Sequence, residues 1–128
     1  MASELKVDKF TGVTTAGSID VTDGSTTTNL QQGLAKCVYS YLQASDTLEN
    51  STNVSSITDS AVGVFLCAYS NAFSSDTDNS VVSACDTGQG DRFSCCVTRT
   101  ASNHGGRGFI GTSATDLQHG FAVFGDLA

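Results

Sequence analysis

Short runs of β-favouring residues recur about every 10 to 15 residues from Leu34 onward, with Gly, Asn, Asp and Ser between them. None of the 128 residues is proline, so those four residue types must form the turns. Short strands at such spacing are typical of antiparallel sandwiches and barrels. The sequence therefore predicts an all-β chain that contains an antiparallel, jelly-roll-like β-sandwich.

Two of these runs predict how the strands are buried. Residues 34–42 alternate so that Cys37, Tyr39 and Tyr41 share one face of a strand. Residues 61–69 are apolar on both faces, which is expected of a central strand that is covered on both sides. Further along, residues 79–85 and 92–98 are predicted to pair with each other, with two glycines in the connection between them.

The first 32 residues differ from the rest because they contain one aromatic residue and no cysteine. Two short alternating stretches are present there, and an isolated two-stranded ribbon is only marginally stable in water. We therefore predict an extended N-terminal arm over residues 1–32 for anchoring or oligomerisation, and a sandwich over residues 33–128. The arm must dock on the following domain, on identical chains around an axis, or on a larger assembly. Its predicted contact residues are Leu5, Val7, Phe10, Ile19 and Val21.

Charge and hydropathy exclude several classes of partner. Thirteen acidic and six basic residues give a formal net charge of −7, whereas nucleic-acid binding needs clustered Lys and Arg. No run of 18 or more apolar residues is present, so we predict no membrane insertion. The first residues lack the cationic and apolar stretches of a secretion signal. We expect synthesis and assembly in a cytoplasm.

The five cysteines are predicted to be small core or interface residues. They form an odd set without a C-x-x-C pair, and each lies in a β-like run. A metal or redox role is the alternative, but adjacent Cys95 and Cys96 point to opposite faces of a strand and do not easily share a metal.

The segment 102–108 around His104 contains three glycines and is the most loop-like part of the sequence. We predict an exposed tip loop there that carries Asn103, His104 and Arg107. Such a loop could hold an anion, although a need for glycine conformations explains its composition equally well. A metal held by His104 and His119 around a threefold axis is a weaker alternative, because the sequence has no closely spaced histidine pair.

Signatures of catalysis are missing from the sequence. It contains no Gly-x-Ser-x-Gly motif, no His-Glu-x-x-His motif and no convincing pair of catalytic carboxylates. We therefore predict a protein that is not an enzyme and that needs no cofactor and no metal.

Several segments resemble one family of viral proteins. Residues 29–36 read NLQQGLAK, residues 53–59 read NVSSITD, and shorter matches follow at NAF (71–73) and NSVV (79–82). These patterns are similar to terminal modules of tail-fibre and other virion structural proteins of marine bacteriophages, including cyanophages. The opening MASELKVD also resembles the start of short virion proteins from such phages. In that family a tryptophan often follows the lysine, where this chain has Cys37-Val38-Tyr39.

The resemblance implies a virion component that is commonly homotrimeric. The resulting prediction is a short trimeric fibre or knob, anchored to capsid, neck or tail proteins by its N-terminal arm, with the sandwich turned to solvent and touching the host surface. The first alternative is a capsid decoration protein. The second is a module that binds host glycans through exposed aromatic residues, for which Tyr39, Tyr69 and Phe109 are the candidates.

Overall fold

The computed structural model describes residues 20–23, 25–29, 34–77, 79–85 and 91–125. Within those ranges the chain forms eleven β-strands and one turn of 3₁₀ helix at Gln43–Ser45. The strands are β1 (Asp20–Asp23), β2 (Thr26–Asn29), β3 (Ala35–Leu42), β4 (Thr47–Thr52), β5 (Val54–Ala61), β6 (Val64–Tyr69), β7 (Asn79–Cys85), β8 (Arg92–Arg99), β9 (Asn103–Ile110), β10 (Ser113–Ala114) and β11 (Gln118–Gly125). The prediction of an all-β chain is confirmed.

The longer strands form two antiparallel sheets. Sheet 1 has the order β4-β3-β11-β7, and sheet 2 has the order β8-β9-β6-β5, with the short β10 pairing with the end of β9. Strands β1 and β2 pair with each other in a separate two-stranded sheet. Some neighbours are far apart in the sequence, since β11 near the end of the chain lies between β3 and β7. Both sheets are therefore completed only by long-range pairing.

Inner-face side chains of the two sheets form one core. Because side chains alternate along a strand, every second residue of the central strands points inward. The core consists of Cys37, Tyr39 and Tyr41 from β3, Phe65, Cys67 and Tyr69 from β6, Phe73, and Phe121 and Val123 from β11. The predicted alternation of β3 is confirmed: Cys37, Tyr39 and Tyr41 share one face, which is the buried one, whereas Val38 on the other face is 44% exposed. The predicted antiparallel sandwich is thus confirmed as two packed sheets.

The run at 61–69 differs from its prediction. A turn separates β5 from β6 at Gly63, which has a φ of +65° and donates its backbone N–H to Asp116 Oδ1 at 2.6 Å. The prediction that this strand is covered on both faces is wrong for the single chain, because Leu66 is 39% exposed on the outer face. Its apolar outer side chains remain on the surface.

The predicted pairing of residues 79–85 with residues 92–98 is also wrong. Strand β7 pairs with β11 in sheet 1, whereas β8 pairs with β9 in sheet 2. The two strands lie at facing edges of different sheets, where Ser83 Oγ donates to the Ser94 carbonyl at 2.8 Å and Arg99 donates to the Asn79 carbonyl at 2.8 Å. Proximity in sequence suggested a hairpin of β7 with β8, but β7 pairs with the distant β11 and β8 forms its hairpin with the following strand β9.

The segment predicted as an exposed tip loop is strand β9. His104 is 0% exposed there, so the prediction for Asn103, His104 and Arg107 is wrong. Glycines fit this strand because aromatic rings lie directly against its backbone. A Cβ on Gly106 would lie 2.7 Å from Phe65 Cε1, and a Cβ on Gly108 would lie 2.7 Å from His119 Cε1. Glycine in a strand often marks such a close approach.

Most of the predicted arm contacts lie outside the described residues, namely Leu5, Val7, Phe10 and Ile19. Val21 belongs to β1, where it pairs with Thr28 of β2. The division at residues 32 and 33, and any role of the arm in assembly, stay predictions.

Candidate functional site

His104 lies in the centre of the sandwich between two tyrosines. Its Nε2 is 2.7 Å from the Tyr39 hydroxyl and its Nδ1 is 2.9 Å from the Tyr69 hydroxyl. The imidazole also packs on Phe121, with ring centroids 5.2 Å apart. All three hydrogen-bonding residues are buried. Because a neutral imidazole has one N–H and one lone pair, one tyrosine donates a hydrogen bond to the ring and the other accepts one.

Burial keeps this group uncharged. It lowers the pKa of His104 to about 4 and raises the pKa of Tyr39 and of Tyr69 above their usual value. An ion in this position would lose its hydration without gaining a counter-charge. The three side chains therefore act as a neutral polar link between β3, β6 and β9 near pH 7.

His119 on β11 forms a second internal network. Its Nδ1 is 2.9 Å from Ser94 Oγ and its Nε2 is 3.2 Å from Gln43 Oε1. The Gln43 amide nitrogen donates to Asp59 Oδ1 at 2.8 Å, and also to two backbone carbonyls. These acceptors fix the orientation of the amide, so Gln43 Oε1 must accept a hydrogen bond from His119 Nε2–H. It follows that Ser94 donates its hydroxyl hydrogen to His119 Nδ1.

The Ser94–His119 contact has the form of a nucleophile beside a base. Two features favour a structural role instead. His119 is 0% exposed, and burial lowers its pKa to about 4 despite the nearby charge of Asp116, so it is a weak base. A neutral glutamine also occupies the position where hydrolases of this type place a carboxylate. The network satisfies buried polar atoms, and the prediction about catalysis stays a prediction.

The interior position of both histidines contradicts the weaker metal hypothesis. His104 and His119 are each 0% exposed inside one sandwich, so they cannot meet their copies around an axis. Among the residues that the structure describes, no three His, Cys, Asp or Glu side chains converge as metal ligands would.

The cysteines divide into two groups. Cys37 and Cys67 are 0% exposed members of the core, which confirms the prediction for these two. Cys85, Cys95 and Cys96 are half-buried. All five are free thiols.

Outward-facing aromatic residues lie on sheet 2. Phe93 of β8 and Phe109 of β9 are directly paired across the strands and stack with ring centroids 4.8 Å apart and 17° between planes. The Arg107 guanidinium lies 5.1 Å from the centroid of the Phe109 ring. We call Phe93, Arg107 and Phe109 the aromatic patch. Of the three aromatic residues predicted to bind sugars, Tyr39 and Tyr69 are buried at 3% and 7% exposure, so that part of the prediction is wrong.

A cleft of 230 Å³ opens between the facing edges of the two sheets. It is lined by Val81, Cys96, Val97, Thr98 and Arg99. The ladder between β8 and β9 is irregular at this point, between Cys96 and Thr98. The Cys96 thiol points to the Thr98 carbonyl at 3.2 Å, and burial raises its pKa.

Sequence reasoning missed several residues of these sites. Gln43 and Ser94 carry no signal, because a glutamine after a strand and a serine within one are usually solvated. The pairing of Phe93 with Phe109 depends on the register of β8 against β9, which the sequence does not reveal.

The fold and the interior together define an antiparallel β-sandwich with a polar aromatic core. Comparison with models of known families, with curated proteins and with solved structures gave no match for this chain. Within the described part of the chain, no helix has the length and apolar character needed to cross a membrane.

Proposed function

We propose that this chain is a structural protein of a bacteriophage particle, most simply a short homotrimeric fibre or knob with the sandwich turned to solvent. The resemblance of residues 29–36 and 53–59 to virion modules motivates the proposal. The observation that carries it is the apolar outer face of sheet 2, where Leu66 and Phe93 are 39% and 47% exposed. Exposed apolar patches on sandwiches are typical of surfaces that pack against other subunits.

The buried side chains of the interior also support this proposal. The buried histidines are engaged in internal hydrogen bonds and kept neutral. The two histidines therefore stabilise the fold, and the outer surfaces are left for function. This arrangement fits a structural protein that acts through contacts at its surface.

The oligomeric state tests the proposal directly. Light scattering on the purified chain is expected to give about three times 13.2 kDa. Val7→Asp places a charge in the predicted arm interface and is expected to yield monomers, because an unpaired charge is costly at an apolar contact. Val62→Asp is the matched control, since Val62 lies in a turn and is 63% exposed. A monodisperse monomer of the unaltered chain would contradict the trimer.

The position on the particle separates a fibre from a decoration protein. Cryo-electron microscopy of intact particles is expected to place the chain at a vertex or at the tail. Occupancy across the whole capsid lattice would favour the decoration alternative.

A second candidate function is the binding of host surface glycans by the aromatic patch. Its support is the stacked Phe93–Phe109 pair beside Arg107, since sugar rings stack on exposed aromatic faces and a guanidinium donates hydrogen bonds. On a glycan array, the double variant Phe93→Ala/Phe109→Ala is expected to lose at least about tenfold in affinity for any bound glycan. Leu66→Ala, an apolar truncation on the same sheet face, serves as control. Silence of the unaltered chain would remove this candidate.

A further inference from the structure

The outer face of sheet 1 carries an apolar row at its centre. Val38 of β3, Ala122 of β11 and Val82 of β7 are paired in register, so their side chains lie side by side across three strands. Val38 and Val82 are 44% and 59% exposed. On the same face, Gly120 of β11 is paired with Ala84 of β7. These small residues keep the face flat, as is required for another sheet to approach to about 10 Å.

Two opposite charges lie on either side of the apolar row. Lys36 lies two residues before Val38 on β3, and alternation along the strand places it on the same outer face. Glu49 of β4 lies on the other side of the row, since its Oε2 accepts hydrogen bonds from Ser40 Oγ at 2.9 Å and from Gln118 Nε2 at 2.8 Å. These two neutral donors hold the carboxylate on the outer face.

The face is neutral as a whole. Strands β3, β4, β7 and β11 contain no Lys, Arg, Asp or Glu other than Lys36 and Glu49. The complete chain, in contrast, has a formal net charge of −7, so two copies repel each other through most of their surface. Two copies can therefore approach through this face without bringing further like charges together.

We propose that a second copy of this chain packs on the outer face of sheet 1 and is related to the first by a two-fold axis. The axis lies between the two sheets, perpendicular to the strands, at the level of the apolar row. Each valine of the row then meets the same valine of the other copy, as in any isologous contact. The axis also reverses the strand direction, so Lys36 of each copy lies over Glu49 of the other. Two equivalent ion pairs form on either side of the row.

The size of the face fits a specific contact of modest strength. Its strands contain 8, 6, 7 and 8 residues. At about 3.4 Å per residue and about 4.8 Å between strands, the face covers about 500 Å². Two copies together bury about 1,000 Å², which is the lower limit for specific interfaces. The pairing is therefore expected to depend on protein concentration.

This contact is separate from the proposed trimer. The trimer proposal uses the N-terminal arm and the outer face of sheet 2, whereas the pairing uses sheet 1. The inference does not rest on the proposed virion role. The Val7→Asp variant, in which the predicted arm contact is removed, allows the pairing to be measured by itself.

Sedimentation velocity over a range of about 10 μM to about 1 mM measures the pairing in the Val7→Asp variant. The mass is expected to double from that of the smallest species, which is 13.2 kDa for a single chain. Adding Val82→Asp is expected to abolish the doubling, because a carboxylate would face its own copy at an apolar contact. Val62→Asp is the control, since Val62 lies in a turn and is 63% exposed. If the trimer proposal is wrong, the unaltered chain is a single subunit in dilute solution and still doubles.

Reversal of the two charges tests the orientation of the copies. Lys36→Glu and Glu49→Lys each bring like charges together at two positions, and each alone is expected to weaken the pairing at least about tenfold. An equimolar mixture of the two variants is expected to regain it, because positions 36 and 49 again carry opposite charges across both contacts. A change in the fold of either variant would not produce this recovery. Absence of doubling at about 1 mM, doubling that survives Val82→Asp, or a mixture that pairs no better than its components would overturn the proposal.

Discussion

Lowering the pH from 7 to 4.5 is expected to reduce the free energy of unfolding by about 5 kcal/mol through the two buried histidines. Burial holds the pKa of His104 and of His119 at about 4 in the folded chain. In the unfolded chain a histidine titrates near pH 6.5. Total stabilities of small domains are of similar size, so this loss would bring the sandwich close to unfolding.

Proton binding explains why acid lowers the free energy of unfolding. Between pH 6.5 and about 4 the unfolded chain binds protons that the folded chain excludes, so acid favours unfolding. Stability is constant above about pH 6.5, falls through that window, and receives no further loss from these two groups below pH 4. Each histidine accounts for about half of the effect. The charge of Asp116 moderates the shift at His119, since it favours the imidazolium.

Urea unfolding at a series of pH values measures this loss. His104→Gln keeps an amide that can both donate and accept a hydrogen bond but removes the titration, so the loss between pH 7 and 4.5 is expected to shrink to about 2.5 kcal/mol. His119→Gln should do the same, and the double variant should be nearly flat apart from the carboxylates. An unfolding free energy that stays constant to pH 4.5, or a His104 titration near pH 6.5 by NMR, would contradict the assignment.

Local pattern predicted the parts of the fold that depend on alternation. The alternation along β3 placed Tyr39 and Tyr41 on one face, and both are buried on that face in the structure. The pairing of strands was not predictable in this way. Strand β7 alternates equally well beside β8 or beside β11, and the choice depends on side chains more than 30 residues away.

The interior histidine sites were misread because glycine has two opposite uses. A run of glycines usually marks a loop, and on that basis His104 was expected at an exposed tip. In this chain the glycines of β9 make room for two large rings, Phe65 from the neighbouring strand β6 and His119 from the facing sheet, and the strand continues through them. Only the positions of Phe65 on the adjacent strand and His119 across the core distinguish the two cases, and the sequence does not reveal those positions.

Replacing Gly106 by alanine is expected to destabilise the sandwich by about 3 kcal/mol, a large cost for one methyl group. The added Cβ would lie 2.7 Å from Phe65 Cε1 and closer still to Cζ. The Phe65 ring cannot move aside easily, because it contacts Tyr41 and His119 with centroids 5.2 and 4.7 Å away. The methyl group therefore forces either the ring or the strand from its place. Denaturant unfolding measures the cost.

Gly120→Ala is the matched control. Gly120 also lies in a strand, but the nearest atom to its added Cβ is 4.0 Å away, so the free energy of unfolding should change by less than about 1 kcal/mol. The double variant Gly106→Ala/Phe65→Leu isolates the collision. If the ring is the obstacle, the smaller side chain makes room for the methyl group, and the two changes together should cost about 1 to 3 kcal/mol less than their sum. Equal costs for Gly106→Ala and Gly120→Ala, or strict additivity in the double variant, would mean that Gly106 does not face the Phe65 ring.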